Sequence, residues 1–120
     1  MGLPRVHRLR HRRDFQAVYE GGKRYHGSDL TVIARQDPPI DPPLPSRFGL
    51  SVSVKVSKKA VVRNRLKRQL RAVIRELLPE ITAGWRAIVV VRPSAVGCNS
   101  EHFLRELEQL LVKANIIHGH

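Results

Sequence analysis

The chain has 120 residues, enough for one compact domain and too few for two ordinary ones. Its 22 Lys and Arg residues against 10 acids give a formal charge of +12, and a compact chain with that charge repels itself unless a polyanion binds to it. The single cysteine, Cys98, excludes an internal disulfide and a cysteine-based metal cluster, and no apolar run is long enough to cross a bilayer. We therefore predict a single domain over residues 1–120 that is cytoplasmic and has no membrane partner.

The chain begins with a basic stretch over about residues 1–8, which we expect to be a solvated tail. A short first helix is predicted over residues 12–20, because its apolar residues lie three and four positions apart. These residues are Phe15, Val18 and Tyr19. Two glycines, Gly21 and Gly22, follow the helix and would end it with a left-handed cap.

Extended segments dominate the middle of the chain. A short piece, KRYH at 23–26, precedes LTVIAR at 30–35, a strand rich in β-branched residues. Residues 36–46 hold five prolines and form a loop, because proline fixes φ and cannot donate a hydrogen bond to a neighbouring strand. FGLSVSVKV at 48–56 alternates apolar and polar residues, which is typical of a half-buried strand. AIVVVRP at 87–93 is a nearly continuous apolar run, which predicts an inner strand with helices on one face.

Two further helices complete the prediction. The longer one runs over about residues 60–78 and ends where Pro79 would interrupt it. The last covers residues 101–114, with Ser100 as its N-cap. The element order is αβββαβα, which predicts an α/β fold: a two-layer α+β sandwich with a central sheet of about four strands. The strands on either side of the long helix are expected to pair in parallel.

The long helix has two chemically different sides. At 100° per residue, its apolar residues fall within an arc of about 120°. They are Val62, Leu66, Leu70, Val73, Ile74 and Leu77. The opposite side carries Arg65, Lys67, Arg68, Arg71 and Arg75, with Asn64 among them. Arg63 falls just inside the apolar arc, where its long stem can still carry the charge to water.

The charge on this helix is uncompensated, since nine cations between Lys55 and Arg75 meet no acid. A solvated helix face normally mixes both signs, and a membrane-surface helix would leave large apolar residues exposed. Phosphate is the best partner, because guanidinium groups pair with its oxygens in a bidentate manner. A second basic group lies near the N-terminus and comprises Arg5, Arg8, Arg10, Arg12 and Arg13, with Lys23 and Arg24 after the first helix.

RNA fits this pattern better than duplex DNA. A helix-turn-helix protein would need a short helix before the basic one, where a strand is predicted instead. Phe15 and Tyr19, one turn apart, suit stacking on unpaired bases. The spacing of His7 and His11 would allow a metal, but no Cys or paired carboxylate lies beside them. We therefore predict no metal ligand and no catalytic residue in this chain.

Three segments of the sequence resemble one known protein family. RFGLSVSVKVSKKAVVRNRLKRQLR, residues 47–71, resembles the most characteristic segment of the protein subunit of bacterial ribonuclease P. RLRHRRDFQAVYEGGKR at 8–24 resembles the opening helix of that family, and IVVVRP at 88–93 resembles its last strand. The resemblance extends from about Leu9 to Lys113. The chain lacks the glycine that many relatives carry before the long helix, and its proline-rich loop is longer than the family pattern leads us to expect.

The resemblance implies a compact domain with a left-handed β-α-β crossover, bound as a monomer to one catalytic RNA. In that family the RNA removes the 5′ leader of precursor tRNA with Mg²⁺, and the protein assists without binding a cofactor tightly by itself. Contacts to the catalytic RNA, carried over by position, would be Arg63, Asn64, Arg65, Lys67, Arg68 and Arg71. The cleft for the leader would hold Phe15, Tyr19, Ile33, Lys55, Lys58 and Lys59, with Ser57 beside them. Further basic contacts would come from Arg8, Arg10, Arg12 and Arg13.

Two other functions stay open at this point. A basic ribosomal or RNA-chaperone protein would bind RNA without belonging to an enzymatic complex. A sequence-specific DNA-binding regulator would also need a cationic helix. Competition between duplex DNA and structured RNA at one fixed salt concentration would separate the DNA-binding function from the others.

Overall fold

A computed structural model describes residues 2–118 of the chain and contains three α-helices and four strands in that range. The helices are α1 (Arg12–Gly21), α2 (Ala60–Leu77) and α3 (Ser100–Lys113). The strands are β1 (Lys23–His26), β2 (Leu30–Gln36), β3 (Arg47–Ser51) and β4 (Trp85–Val91). Short 3-10 helices cover Arg5–His7, Leu78–Glu80 and Pro93–Gly97. The predicted order αβββαβα is confirmed.

The four strands form one sheet in the order β1-β2-β4-β3. Strand β2 is antiparallel to both β1 and β4, whereas β3 and β4 are parallel, as expected for two strands joined through α2. Strand β4 therefore has a partner on each edge, and it is a central strand whose residues from Ala87 to Val91 are all apolar. The left-handed sense of the β3-α2-β4 crossover stays a prediction.

Helices cover both faces of the sheet. The larger aliphatic core lies between the sheet and helices α2 and α3, with Phe103 as its largest fully buried side chain. Helix α1 crosses the other face, where Val18 packs on Ile33 and Ile88. The prediction that helices cover only one face of β4 is therefore wrong. Between residues 2 and 118, no helix is both long enough and apolar enough to span a membrane.

The strand predicted over residues 48–56 is shorter than expected. Strand β3 ends at Ser51, which pairs with Val90, so only one residue of β4 extends beyond the last paired position. The alternating pattern continues, but the backbone turns instead, leaving Val54 64% exposed and burying Val56. Alternation identifies a half-buried segment, and a strand also needs a neighbour along its whole length.

Two helix ends also differ from expectation. Gly22 has φ −87°, so α1 does not end in a left-handed cap. A Cβ at Gly22 would lie 2.6 Å from the Val18 carbonyl oxygen and 2.9 Å from Ile33 Cγ2, so close approach is what requires glycine there. The N-cap of α3 is Asn99 rather than Ser100, and its Oδ1 accepts a hydrogen bond of 2.9 Å from the backbone N–H of His102.

The N-terminal segment, expected as a solvated tail, packs against the sheet edge at β3. Leu3 is only 2% exposed and belongs to the main core, and Leu9 is buried beneath α1. The backbone N–H of Leu9 donates to the carbonyl of Phe48 over 2.9 Å. The Arg8 guanidinium donates to the carbonyl of Leu3 over 2.7 Å. Burying two leucines stabilises the packed segment more than hydration of its arginines favours a free tail. The segment is therefore part of the domain.

Candidate nucleic-acid interface

Helix α2 presents the two sides that its sequence predicts. The buried residues of α2 are Leu66, Leu70, Val73, Ile74 and Leu77, and Val62 is half-buried. Asn64, Arg65 and Arg68 are exposed, while Arg63, Lys67 and Arg71 are half-buried. We call these six polar residues the α2 basic face. Packing on one side holds the α2 basic face rigidly toward solvent.

The charge of the α2 basic face is not neutralised within the protein. None of the ion pairs among residues 2–118 involves a Lys or Arg of α2. The Arg63 guanidinium donates to the carbonyl of Ser57 over 2.8 Å, and that of Arg65 to the carbonyl of Val96 over 3.2 Å. Carbonyl oxygens orient these side chains but leave their full positive charge available to an external anion.

The start of α2 adds further positive potential. Lys55, Lys58 and Lys59 are exposed in the turn that leads into the helix. The first turn of α2 contains no acid, and the N-cap residue Lys59 makes no side-chain capping bond. Unpaired backbone N–H groups and the helix dipole therefore reinforce the lysine charges, which is an arrangement that favours phosphate.

Phe15 connects α1 to the α2 basic face. Its ring lies directly on Gly49 of β3, at a place that a Cβ would occupy. A pocket of about 310 Å³ opens beside the ring and is lined by residues from four parts of the chain. They are Leu3, Arg8, Leu9, Arg10, Phe15, Phe48, Gly49, Leu50, Lys67 and Arg71. We call this the Phe15 pocket; its lining combines four cations with two phenylalanines, Phe15 and Phe48.

The other predicted cleft residues divide into three groups. Tyr19 follows Phe15 by one helical turn and is 39% exposed, so its ring is accessible. Ile33 is 0% exposed beneath α1, and the expectation that it lines an open cleft is therefore wrong in this structure. The three lysines before α2 are exposed but do not line the Phe15 pocket.

The four N-terminal arginines that were predicted to contact RNA lie in two different places. Arg8 and Arg10 line the Phe15 pocket, because the packed N-terminal segment brings them next to β3. Arg12 and Arg13 occupy the first turn of α1, where both are exposed and neither borders that pocket.

Two arginines are withdrawn from the basic surface by ion pairs that sequence inspection missed. Arg86 Nε lies 2.7 Å from Asp37 Oδ1, and Arg47 contacts the same carboxylate at 3.6 Å. Asp14 bridges both arginines from α1, at 3.5 Å and 3.8 Å. These four residues tie α1, the proline-rich loop and two strands together, so their charge serves the fold. They lie far apart in sequence, and no spacing pattern would indicate them.

A second polar cluster lies at the start of α3 and was also missed. His102 Nε2 is 2.6 Å from Asp29 Oδ2, and the Cys98 thiol lies close to both. Hydrogen bonds from Ser94 and His102 lower the pKa of Asp29 against the opposing effect of burial. Burial, followed by the neighbouring Asp29 carboxylate, raises the pKa of the Cys98 thiol. This thiol is therefore held protonated in the isolated protein.

Comparison with known proteins identifies relatives along almost the whole chain. A family model described as Ribonuclease P matches residues 3–115. A Microcystis aeruginosa protein named Ribonuclease P protein component is 75% identical over 120 residues, covering 100% of both chains. A Synechocystis protein of the same name is 54% identical over 121 residues, covering 100% of this chain and 95% of the relative.

Solved structures of similar shape carry the same description. The Staphylococcus aureus RNase P protein superposes with a TM-score of 0.81 at 27% identity, covering 95% of this chain and 100% of that one. The Thermotoga maritima RNase P protein superposes with a TM-score of 0.77 at 29% identity, covering 93% and 98%. The predicted fold class is thereby confirmed.

Proposed function

Because the chain belongs to the ribonuclease P protein family, we propose that its basic surface holds the catalytic RNA and the 5′ leader of precursor tRNA side by side. Family membership makes the chain a protein subunit of an endoribonuclease that acts in tRNA 5′ processing, with a catalytic RNA as its partner. The comparisons give no support to the ribosomal, RNA-chaperone or DNA-binding functions. One observation carries the proposal: the Phe15 pocket is bounded by both Phe15 and the α2 basic face.

The α2 basic face is proposed as the contact with the catalytic RNA. Its six residues are Arg63, Asn64, Arg65, Lys67, Arg68 and Arg71. Their uncompensated charge supports this role, because a folded RNA presents closely spaced phosphates and releases counterions on binding. Because α2 packs against the core, it is already ordered before RNA binds. Binding therefore costs little side-chain and backbone entropy.

The leader is proposed to pass over α1. Tyr19 offers an exposed ring face, and Phe15 offers the ring that borders its own pocket. Single-stranded nucleotides stack on such rings while nearby cations follow the backbone. Lys55, Lys58 and Lys59, with Arg8, Arg10, Arg12 and Arg13, would supply those cations. Mature tRNA has no leader, so these contacts favour the precursor.

Mg²⁺ belongs to the RNA in this proposal, and the protein acts on it indirectly. Protein cations screen the repulsion between the catalytic RNA and the precursor, so less Mg²⁺ is needed to bring them together. The protein supplies positive charge and ring faces to this complex, and bond cleavage is assigned to the RNA. We propose one protein monomer for each catalytic RNA.

Reconstitution with the catalytic RNA tests this function. Precursor tRNAs with successively longer leaders are bound and cleaved with and without the protein, at low and high Mg²⁺. We expect the protein to improve precursor binding more as the leader lengthens, and to improve cleavage most at low Mg²⁺. A protein that leaves both quantities unchanged would rule the proposal out.

Variants of Tyr19 test whether the leader is bound by stacking on an aromatic ring or by positive charge alone. Tyr19→Ala should weaken binding of the long-leader precursor by about 1–3 kcal/mol, the usual contribution of one aromatic to a stacked base. Tyr19→Phe keeps the ring face and should bind as the unchanged protein does. Affinity for the catalytic RNA alone should be the same in all three proteins. Equal binding of long-leader precursor by the alanine variant would place the leader elsewhere.

A further inference from the structure

Two parts of the chain that lie far apart in sequence bring metal-binding side chains together at the start of α3. Asp29 precedes β2, Cys98 follows the 3-10 helix Pro93–Gly97, and His102 lies in the first turn of α3. A carboxylate oxygen, the thiol sulfur and an imidazole nitrogen of these residues all lie within 4.8 Å of one another. We call this group the Asp29–Cys98–His102 cluster.

The distances are close to those of a metal site. Ligand atoms bonded tetrahedrally at 2.0–2.3 Å lie about 3.3–3.8 Å apart. A hydrogen bond of 2.6 Å now joins His102 Nε2 and Asp29 Oδ2, so these atoms would move slightly outward around an ion. The Cys98 sulfur lies within 4.8 Å of the other two ligand atoms, and rotation of its side chain can bring it to bonding distance of an ion placed between them.

The buried carboxylate of Glu106 lies next to the Asp29–Cys98–His102 cluster. Glu106 Oε2 accepts hydrogen bonds from the backbone N–H groups of Asp29 and Leu30, at 2.9 Å and 2.6 Å. Its Oε1 accepts a 2.6 Å hydrogen bond from the Ser28 hydroxyl and lies 3.4 Å from His102 Nε2. Glu106 therefore fixes the backbone that carries Asp29, and its Oε1 places a second carboxylate beside the same ring nitrogen of His102 that faces Asp29.

The charge distribution is unusual for this chain. Asp29 and Glu106 are both buried, and neither has a Lys or Arg ion-pair partner among residues 2–118. Their only ion-pair partner in that range is His102, which is charged only when protonated, although the chain holds 22 Lys and Arg residues. A divalent cation would satisfy two carboxylates that the surrounding basic protein leaves without a permanent counter-charge.

We propose that Asp29, Cys98 and His102 form a site for a divalent transition metal of the zinc class, with Glu106 holding the backbone of Asp29 in place. Sulfur and imidazole ligands select zinc-class ions, whereas Mg²⁺ prefers oxygen ligands alone. The thiol proton is released as the sulfur binds the metal, and His102 binds through a ring nitrogen that carries no proton. The site also fixes the segment that ends at Cys98, and Arg65 of the α2 basic face donates to Val96 in that segment.

Cobalt(II) is the first probe of this site, because its absorption reports both geometry and sulfur ligation. Metal-free protein should take up one equivalent of Co²⁺ and show tetrahedral d–d bands with a thiolate-to-cobalt charge-transfer band. Cys98→Ser should lose the charge-transfer band. His11→Gln, which removes an exposed histidine far from the cluster in sequence, should keep it. A purely octahedral spectrum, or one unchanged in Cys98→Ser, would overturn the proposal.

The unaltered protein provides a second test that needs no variant. Cys98 is the only cysteine, so its rate of alkylation reports on this one site. Stoichiometric Zn²⁺ should slow alkylation, while an excess of Mg²⁺ should not. Both ions should leave alkylation of the denatured chain unchanged at the same concentrations. Equal rates with and without Zn²⁺ in the folded protein would contradict the site even if Cys98→Ser failed to fold.

Discussion

Gly49 determines where the Phe15 ring lies. A Cβ at this position would overlap the ring edge and would lie 3.4 Å from Leu9 Cβ, so the ring has to be displaced. Gly49→Ala should therefore lower the free energy of unfolding by about 1–3 kcal/mol, the usual effect of overpacking. It should also weaken binding of leader-bearing precursor, since Phe15 would no longer border its pocket. Urea denaturation and precursor binding measure the two effects.

Gly97→Ala is the matched control for this change. A Cβ at Gly97 meets nothing within 4 Å, so alanine should leave stability unchanged or slightly higher. If both alanine variants lost the same stability, backbone freedom rather than the Phe15 contact would explain the need for glycine at position 49.

Single residues also show where sequence inspection fails. Ile33 was expected in an open cleft because of its place in the family pattern, yet α1 covers it completely. Asp29 was not predicted to meet Cys98 and His102, because only tertiary structure joins positions 73 residues apart such as Asp29 and His102. Family resemblance predicts which residue of this chain corresponds to a cleft residue. Whether that side chain is exposed depends on how this chain packs.

At the scale of elements, α2 was predicted well because two requirements coincide in it. Apolar residues at helical spacing need a core, and uninterrupted cations need solvent or an anion, so both sides were determined without the fold. Strand β3 was overpredicted because alternation over residues 48–56 indicates burial but not the length of the neighbouring strand. Periodicity identifies an element, and its partners set where it ends.

The α2 basic face gives a prediction at this scale. Arg65→Ala with Arg68→Ala should weaken binding of the catalytic RNA and reduce the slope of log K against log salt by about 1 for each phosphate that the variant no longer neutralises. Stability should change by less than about 0.5 kcal/mol, because both side chains are exposed and lie among like charges. Salt-dependent binding and thermal unfolding measure the two quantities.

Two controls identify the cause of the weaker binding. Arg105→Ala with Lys113→Ala removes the same charge from exposed positions on α3, and should change the slope little. Leu66→Asp places a charge at a fully buried position of α2 and should unfold the protein. If the α3 pair flattened the salt dependence equally, total charge rather than the α2 basic face would determine RNA binding.

The whole molecule combines a high net charge with a core that extends into its N-terminal segment. Composition predicted an anionic partner correctly, but it also suggested that residues 1–8 would be solvated. Leu3 shows why this failed: one leucine among arginines fills a gap in the core, which is a property of the assembled domain. The segment therefore has two separable roles, packing through Leu3 and charge through its arginines.

Two variants with opposite effects test this separation. Leu3→Ala keeps every charge but empties a buried position, so stability should fall by about 2–5 kcal/mol, the usual cost of such a truncation. Arg5→Ala with Arg10→Ala keeps the packing and removes two exposed cations. Stability should then hold or rise slightly as self-repulsion falls, while precursor binding weakens at low salt. Urea denaturation and precursor binding at two salt concentrations measure both variants. A large loss of stability in the arginine variant would show that these side chains hold the segment in place, and that its charge and its packing are not independent.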